Sequence, residues 1–272
     1  MARVGRRRGD GLQRAVVAGG RGLLRALDLT VRSAGHEHVP ATGPVVLAAN
    51  HVSFPDFVFV QQALLAGPAG SGGRLARFLC RHEIWGVPVV GAAMDRMRQV
   101  PVDRAAPAAA YLRARALLRE AEAVCVFPEA GISAAYVVRA LMPGAVALAR
   151  ETGAPLVPVS VWGGQRLWPQ KRTLEDPFPR PTPARGRLVD VVFHPPLAEP
   201  TTEALGHVLQ AGLETLQRLP EHRPRPGEWA PWHPAHLGGD AVPRAESFAL
   251  DGLPRAAIAP TWGPGPPADG DA

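Results

Sequence analysis

Short apolar runs alternate along this chain with longer stretches of mixed polarity. Residues 45–49, 75–80, 100–102, 124–127, 156–161 and 188–193 are largely apolar, which predicts strands buried on both faces. Between or after them, apolar residues recur every three or four positions over 53–65, 87–98, 107–121, 142–152 and 202–218. These are predicted helices. Ser53 can cap the first of them, with Pro55 in its opening turn. Strands alternating with helices predict an α/β fold: a mainly parallel sheet sandwiched by helices.

The two ends of the chain follow other patterns. Residues 11–32 read as a helix on which Arg14, Arg21, Arg25, Asp28 and Arg32 share one face. Leu12, Val16, Leu23, Leu27 and Val31 fall opposite them. A basic amphipathic helix of this kind, preceded by Arg6, Arg7 and Arg8, either lies in a membrane interface or packs on the domain. Gly19, Gly20 and Gly22 weaken it in isolation. After Pro220 the chain turns rich in proline and glycine, which predicts an irregular tail with disorder over roughly the last 15 residues. In that tail Trp229 and Trp232 either fold back or touch lipid. The expected organisation is a basic segment with an amphipathic helix over 1–34, a domain over 35–220 and a tail over 221–272.

Composition narrows the partners. A formal charge of +6 predisposes the chain to phosphates, whether of nucleic acid, lipid or a small substrate. Aromatic residues are sparse around the arginine clusters, which argues against a nucleic-acid module. Cys80 and Cys125 sit in apolar runs, without a CxxC or a Cys/His cluster, and read as reduced core residues rather than zinc ligands. No apolar run reaches the ~18 residues of a spanning helix, and the basic N-terminus lacks a signal-peptide pattern. Any membrane contact is expected to be peripheral, on the cytoplasmic face.

Four places carry candidate chemistry. In NHVSFPDF, His51 leaves the carboxyl end of a predicted buried strand, and Asp56 follows five residues on. Open α/β sheets bind ligands at that end. The turn can bring the carboxylate to Nδ1, fixing the tautomer and leaving Nε2 to accept a proton. A substrate hydroxyl would then complete the arrangement as nucleophile, because the chain has no G-x-S-x-G elbow. In RQVPVDR, Arg98 and Arg104 flank a short strand and suit phosphate. In VCVFPEAGIS, Glu129 ends a buried strand, where a cap or turn role competes with a site role. In GAPLVPVSVWG, Pro158 interrupts a strand that otherwise reads as central.

These four blocks, in this order over roughly residues 35–170, resemble the glycerolipid acyltransferase family typified by 1-acylglycerol-3-phosphate acyltransferases. Asn50, His51 and Asp56 match its N-H-x-x-x-x-D motif. Val100 to Arg104 match the second block, Phe127, Pro128 and Glu129 the F-P-E-G block, and Val157, Pro158 and Val159 the V-P-V strand. The resemblance implies the glycerol-3-phosphate-acyltransferase fold and transfer of a fatty acyl group to the hydroxyl of a lysophospholipid such as 1-acylglycerol 3-phosphate. The donor would be an acyl-CoA or acyl-carrier-protein thioester, serving as co-substrate. No cofactor or metal is needed, since a thiol leaves readily. It implies His51 as general base, Asp56 as its partner, Arg104 and Glu129 at the glycerol-phosphate moiety, and Gly131 and Pro158 shaping the donor and acceptor sites.

One departure bears on the acceptor. The family's F-P-E-G-T-R-S reads FPEAGIS here, with Ala130 for the first glycine and Ile132 for the arginine. Arg139 is the candidate to replace that arginine. Glycerol 3-phosphate or another lysolipid is the alternative acceptor, and a non-catalytic lipid-binding protein the alternative of another class.

Overall fold

The computed structural model describes residues 9–67, 73–183, 185–252 and 254–263. Arg6, Arg7 and Arg8, most of the predicted 67–73 loop and the final nine residues lie outside them. The first helix, α1, spans Asp10–Ala26, and strand β1 spans Leu29–Ala34. There follow β2 (Val45–Ala49), α2 (Asp56–Ala66), β3 (Ala76–Arg81), α3 (Pro88–Arg96) and β4 (Val100–Val102). The remaining elements are α4 (Ala108–Arg119), β5 (Ala123–Val126), α5 (Gly144–Thr152), β6 (Leu156–Trp162), β7 (Arg187–Phe193), α6 (Thr202–Gln217) and α7 (Arg244–Asp251).

The seven strands form one sheet in the order β1-β7-β6-β2-β5-β3-β4. All pairings are parallel except β6 with β7. The mainly parallel sheet between helices is therefore present as the alternating pattern requires. Side chains of β2 alternate between two cores, as a strand's two-residue period dictates. Val46 and Ala48 pack toward Leu117 of α4, Leu148 of α5 and Leu209 of α6. Val45, Leu47 and Ala49 pack toward Leu24 of α1 and Val60 of α2.

The N-terminal helix is shorter than its periodicity suggests. It stops at Ala26, Asp28 takes a left-handed backbone (φ 52°), and 29–34 is a strand paired with β7. Leucine and valine at 27, 29 and 31 satisfy both a helical stripe and a two-residue alternation, and pairing with β7 decides between them. The helix also docks by an unexpected face. Beside the apolar contact of Leu24, this face is polar: Gln13 bonds Gln61 and the Ala76 carbonyl, and Asp10 pairs with the buried Arg77 at 2.6 Å. Val16 and Leu23, on the predicted apolar face, remain 50% and 61% exposed.

The segment after Pro220, expected to be irregular throughout, contains the helix α7 and is otherwise irregular in path but packed. Trp262 is 1% exposed and lies against Gly206 of α6, where an added Cβ would come within 2.2 Å of the indole. Its Nε1 donates to the Val138 carbonyl, and Ile258 bridges to Leu141. His222 is buried with Nε2 2.6 Å from Asp190 of β7. Proline and glycine deny this segment regular periodicity, yet its anchors are large side chains with prepared sockets. Trp262→Ala should lower unfolding free energy by about 3–5 kcal/mol, the usual range for emptying such a site. Urea denaturation of the full chain checks this; a loose tail would show no change.

Candidate active site

The site begins with a side chain that extends the sheet. Buried Asn50 follows β2, and its amide both donates to the Val161 carbonyl (3.0 Å) and accepts from the Val161 N–H (2.7 Å). That clasp fixes where His51 leaves the sheet. The turn 51–55 then folds onto Asp56, the first residue of α2, whose carboxylate is fully buried. Asp56 Oδ2 accepts the N–H groups of Val52 and Ser53, each at 2.8 Å, and lies 2.9 Å from His51 Nδ1. Ser53 Oγ donates to Oδ1. A carboxylate held by backbone donors can only accept from Nδ1, so Nε2 carries the free lone pair. The imidazole is stacked on Phe127, centroids 4.4 Å apart, with 19% of the side chain open. The geometry predicted for His51 and Asp56 is present.

Glu129 has a different place from a substrate contact. It is 1% exposed, and its two oxygens accept the backbone N–H groups of His51 (2.7 Å) and Arg139 (3.0 Å). It therefore ties the histidine turn to the segment after β5. Burial pushes its carboxyl up to about 8, against the two N–H donors and Arg139, which favour the ionised form. Arg139 is also turned inward: its side chain is 5% exposed and its Nη1 lies 3.4 Å from Asp251 of α7. Gly131 leaves room for that guanidinium, since a Cβ there would sit 3.1 Å from Nη1. Arg139 thus lies buried against the motif loop at Gly131 and beside Asp251, and buried Ile132 brings no charge. Ala130 adopts the left-handed backbone (φ 53°) that a glycine would hold without strain.

Arg104 reaches the same loop, donating from Nη2 to the Ala130 carbonyl at 2.6 Å. Burial, and then the charges of Arg81 and Arg139, lower its pKa. Arg81 was not singled out from the sequence. It ends β3 at the carboxyl edge and is more than half exposed, holding Glu83 at 2.9 Å. An arginine immediately after the carboxyl end of a predicted strand is the available signal. Arg98 points elsewhere, to Glu122 and Glu120. Pro158 is not brought to the site: it is buried within β6 opposite Ala48, and its carbonyl accepts the His194 N–H. A second missed residue is Gly164, just past β6. A Cβ there would lie 2.3 Å from Ser53 Oγ and 3.1 Å from Asp56 Oδ1, so only glycine lets this turn close on the dyad. Phe54, Trp168 and Phe178 form an aromatic wall beside it.

Residues 30–162 match the sequence model of the family described as Acyltransferase. This segment belongs to the acyltransferase family. The match runs from β1 to the last residue of β6, so it contains His51, Asp56, Arg104 and Glu129. Across 139 residues, half of its length, the chain is 30% identical to the 1-acyl-sn-glycerol-3-phosphate acyltransferase BAT2, chloroplastic, of Brassica napus, and 29% identical to LPAT1, chloroplastic, of Arabidopsis thaliana. It spans 38% and 36% of the length of those relatives. The acyltransferase fold is that of the crystal structure of the 1-acyl-sn-glycerophosphate (LPA) acyltransferase PlsC from Thermotoga maritima. The TM-score is 0.61 at 22% identity, covering 79% of this chain and 85% of the other.

Glu129 provides a test of the site's construction. Its pKa of about 8 exceeds the ordinary 4.5, so the folded chain holds a proton that the unfolded chain has released. Its contribution to stability is full below 4.5 and is lost as pH rises toward 8. Urea unfolding across that range should show a decline that Glu129→Gln flattens. Equal slopes for both proteins would contradict the assignment.

Proposed function

We propose that the chain transfers a fatty acyl group from an acyl-CoA or acyl-carrier-protein thioester to the hydroxyl of a lysophospholipid, with 1-acylglycerol 3-phosphate as the first candidate acceptor. The observation that carries this reading is the His51–Asp56 pair at the carboxyl edge of the sheet, with Nδ1 2.9 Å from the carboxylate. The family match and the names of the plant relatives support the same reaction class.

In this mechanism Nε2 of His51 takes the acceptor's hydroxyl proton as the oxygen bonds to the thioester carbonyl carbon. The buried Asp56 carboxylate stabilises the imidazolium that forms. The C–S bond then breaks, and the departing thiolate recovers the proton. Arg104 and Arg81 face the acceptor's phosphate as charge-assisted donors. With Arg139 committed to Asp251 and Ile132 apolar, fewer arginines serve that phosphate than the family's motif would supply. This favours, as second reading, an acceptor with another headgroup on the same chemistry.

The acceptor and product are amphipathic, so the enzyme works at a lipid surface. No helix among the described residues is long and apolar enough to cross a membrane. The exposed stripe of Val16 and Leu23 on α1, on the side of the helix away from Arg14 and Arg25, suits shallow contact with a bilayer.

Purified protein given labelled acyl-CoA and a panel of lysolipids should acylate at least one of them. His51→Ala and Asp56→Ala should each cut turnover by about 10² or more. Activity that survives both substitutions would overturn the mechanism. On phosphatidylglycerol vesicles, Val16→Glu/Leu23→Glu should lower the bound fraction in flotation, whereas unchanged binding would remove α1 from the interface.

A further inference from the structure

Strand order puts β6 and β7 on the opposite side of β2 from Arg81 and Arg104. Where β6 ends and β7 begins, the two strands meet the 3-10 turn Pro220–His222 and the loop after it around a cleft of about 490 Å³. Arg166, Arg185, Arg187, Arg223 and Arg225 line it. Only Glu221 and Glu228 oppose them. Glu221 is already held by Arg32 at 2.9 Å, and Glu228 accepts the Arg225 backbone N–H while standing 3.9 Å from Arg166. A clear excess of positive charge remains.

Two of these arginines are fixed in advance. The Arg166 guanidinium lies 4.0 Å over the Trp232 ring, and its buried Nε has no hydrogen-bond partner among the described residues. Arg187 donates from Nη1 to the Arg166 carbonyl. Burial lowers the pKa of both, a cost that an anion would relieve. Elsewhere on the same flank Arg32 has its carboxylate, Asp190, at 2.7 Å.

Planar guanidinium forks recognise phosphate oxygens in pairs. Five forks around a concave space of small-molecule size suit a compound with several phosphates better than a single one. The position adds a constraint. Arg166 follows two residues after Gly164, which packs on Ser53 and Asp56. Along the sheet edge the cleft is one to two strand spacings from the exit of β2, roughly 5–10 Å. A ligand whose phosphates are joined to a thioester by a long flexible arm can occupy the cleft and still reach His51.

We infer that this cleft binds the phosphates of the acyl donor, the 3′-phosphoadenosine diphosphate portion of coenzyme A. The inference rests on the acyl-transfer reading and deepens it, making CoA rather than a carrier protein the donor.

Calorimetric titration of the full chain with adenosine 3′,5′-bisphosphate tests this directly. Arg185→Glu and Arg223→Glu change exposed side chains, and circular dichroism verifies that both variants fold. The intact protein should bind the bisphosphate, and each reversal should weaken binding about 10- to 100-fold, the scale of losing a charge-assisted contact. Preference for acyl-CoA over a phosphate-free acyl thioester should fall by a similar factor. Absent binding, or equal binding by the variants, overturns the inference. So does loss of phosphatidylglycerol-vesicle binding, or of transfer from carrier protein alone, in the variants with bisphosphate binding intact. Those outcomes assign the arginines to lipid headgroups or to an acidic protein surface. Bisphosphate binding that the reversals weaken, in a protein that transfers no acyl group, would keep the cleft assignment and sink the proposed reaction.

Discussion

The site depends on one buried carboxylate. Asp56 has no exposed surface, yet it accepts hydrogen bonds from His51 Nδ1, the N–H groups of Val52 and Ser53, and Ser53 Oγ. A charge in that position would be costly without donors. With them, it orders the turn and the imidazole together. Everything nearby is arranged to keep it dry and in place. Gly164 lets the turn after β6 close over Ser53, and Asn50 secures the strand from which the turn departs. Turn geometry and tautomer are consequences of the same bonds, so substitutions at Ser53 or Gly164 act on the histidine without touching a substrate.

A second buried carboxylate extends that logic to the neighbouring strand. Glu129 spans from the His51 N–H to the Arg139 N–H and so couples the ends of β2 and β5. Arg139 is in turn neutralised by Asp251 of α7. A chain of polar contacts therefore runs from the dyad through Glu129 to the C-terminal segment, which Trp262 anchors against α6. At the carboxyl edge the arginines fall into two groups along the strand order. Arg81 and Arg104 stand on the β3–β4 side of His51, and the arginine cleft stands on the β6–β7 side. Positive charge thus lies on both flanks of His51.

The α/β alternation, the helices behind it and the His51–Asp56 pair were legible in the sequence because each is local. Strand burial shows as apolar runs, helices show as a three-to-four residue recurrence, and a pair five residues apart needs only one turn to meet. Other features could not be read that way. Whether 29–34 is helix or strand depended on β7, more than 150 residues away. Pro158 reads as a site residue by motif, but the register with Ala48 sets it inside the sheet. The family resemblance implied Glu129 at the glycerol-phosphate moiety and offered Arg139 for the missing motif arginine, whereas the fold buries both, Glu129 on the N–H groups of His51 and Arg139, and Arg139 beside Asp251.

The order of residues along the chain sets the chemistry available: a histidine and a carboxylate at a strand exit, arginines in excess, and an amphipathic first helix. Tertiary structure decided which of those charges meet. Arg166, Arg187 and Arg223 belong to separate segments, gathered by the antiparallel placement of β7 beside β6 and by the docking of the Pro220–His222 turn on Asp190 and Arg32. Trp262 sits in a proline-rich segment without periodicity, and only the missing side chain of Gly206 makes its socket. Local bonding is set by neighbours in the chain, whereas burial and pairing of charge are set by what the fold packs against them.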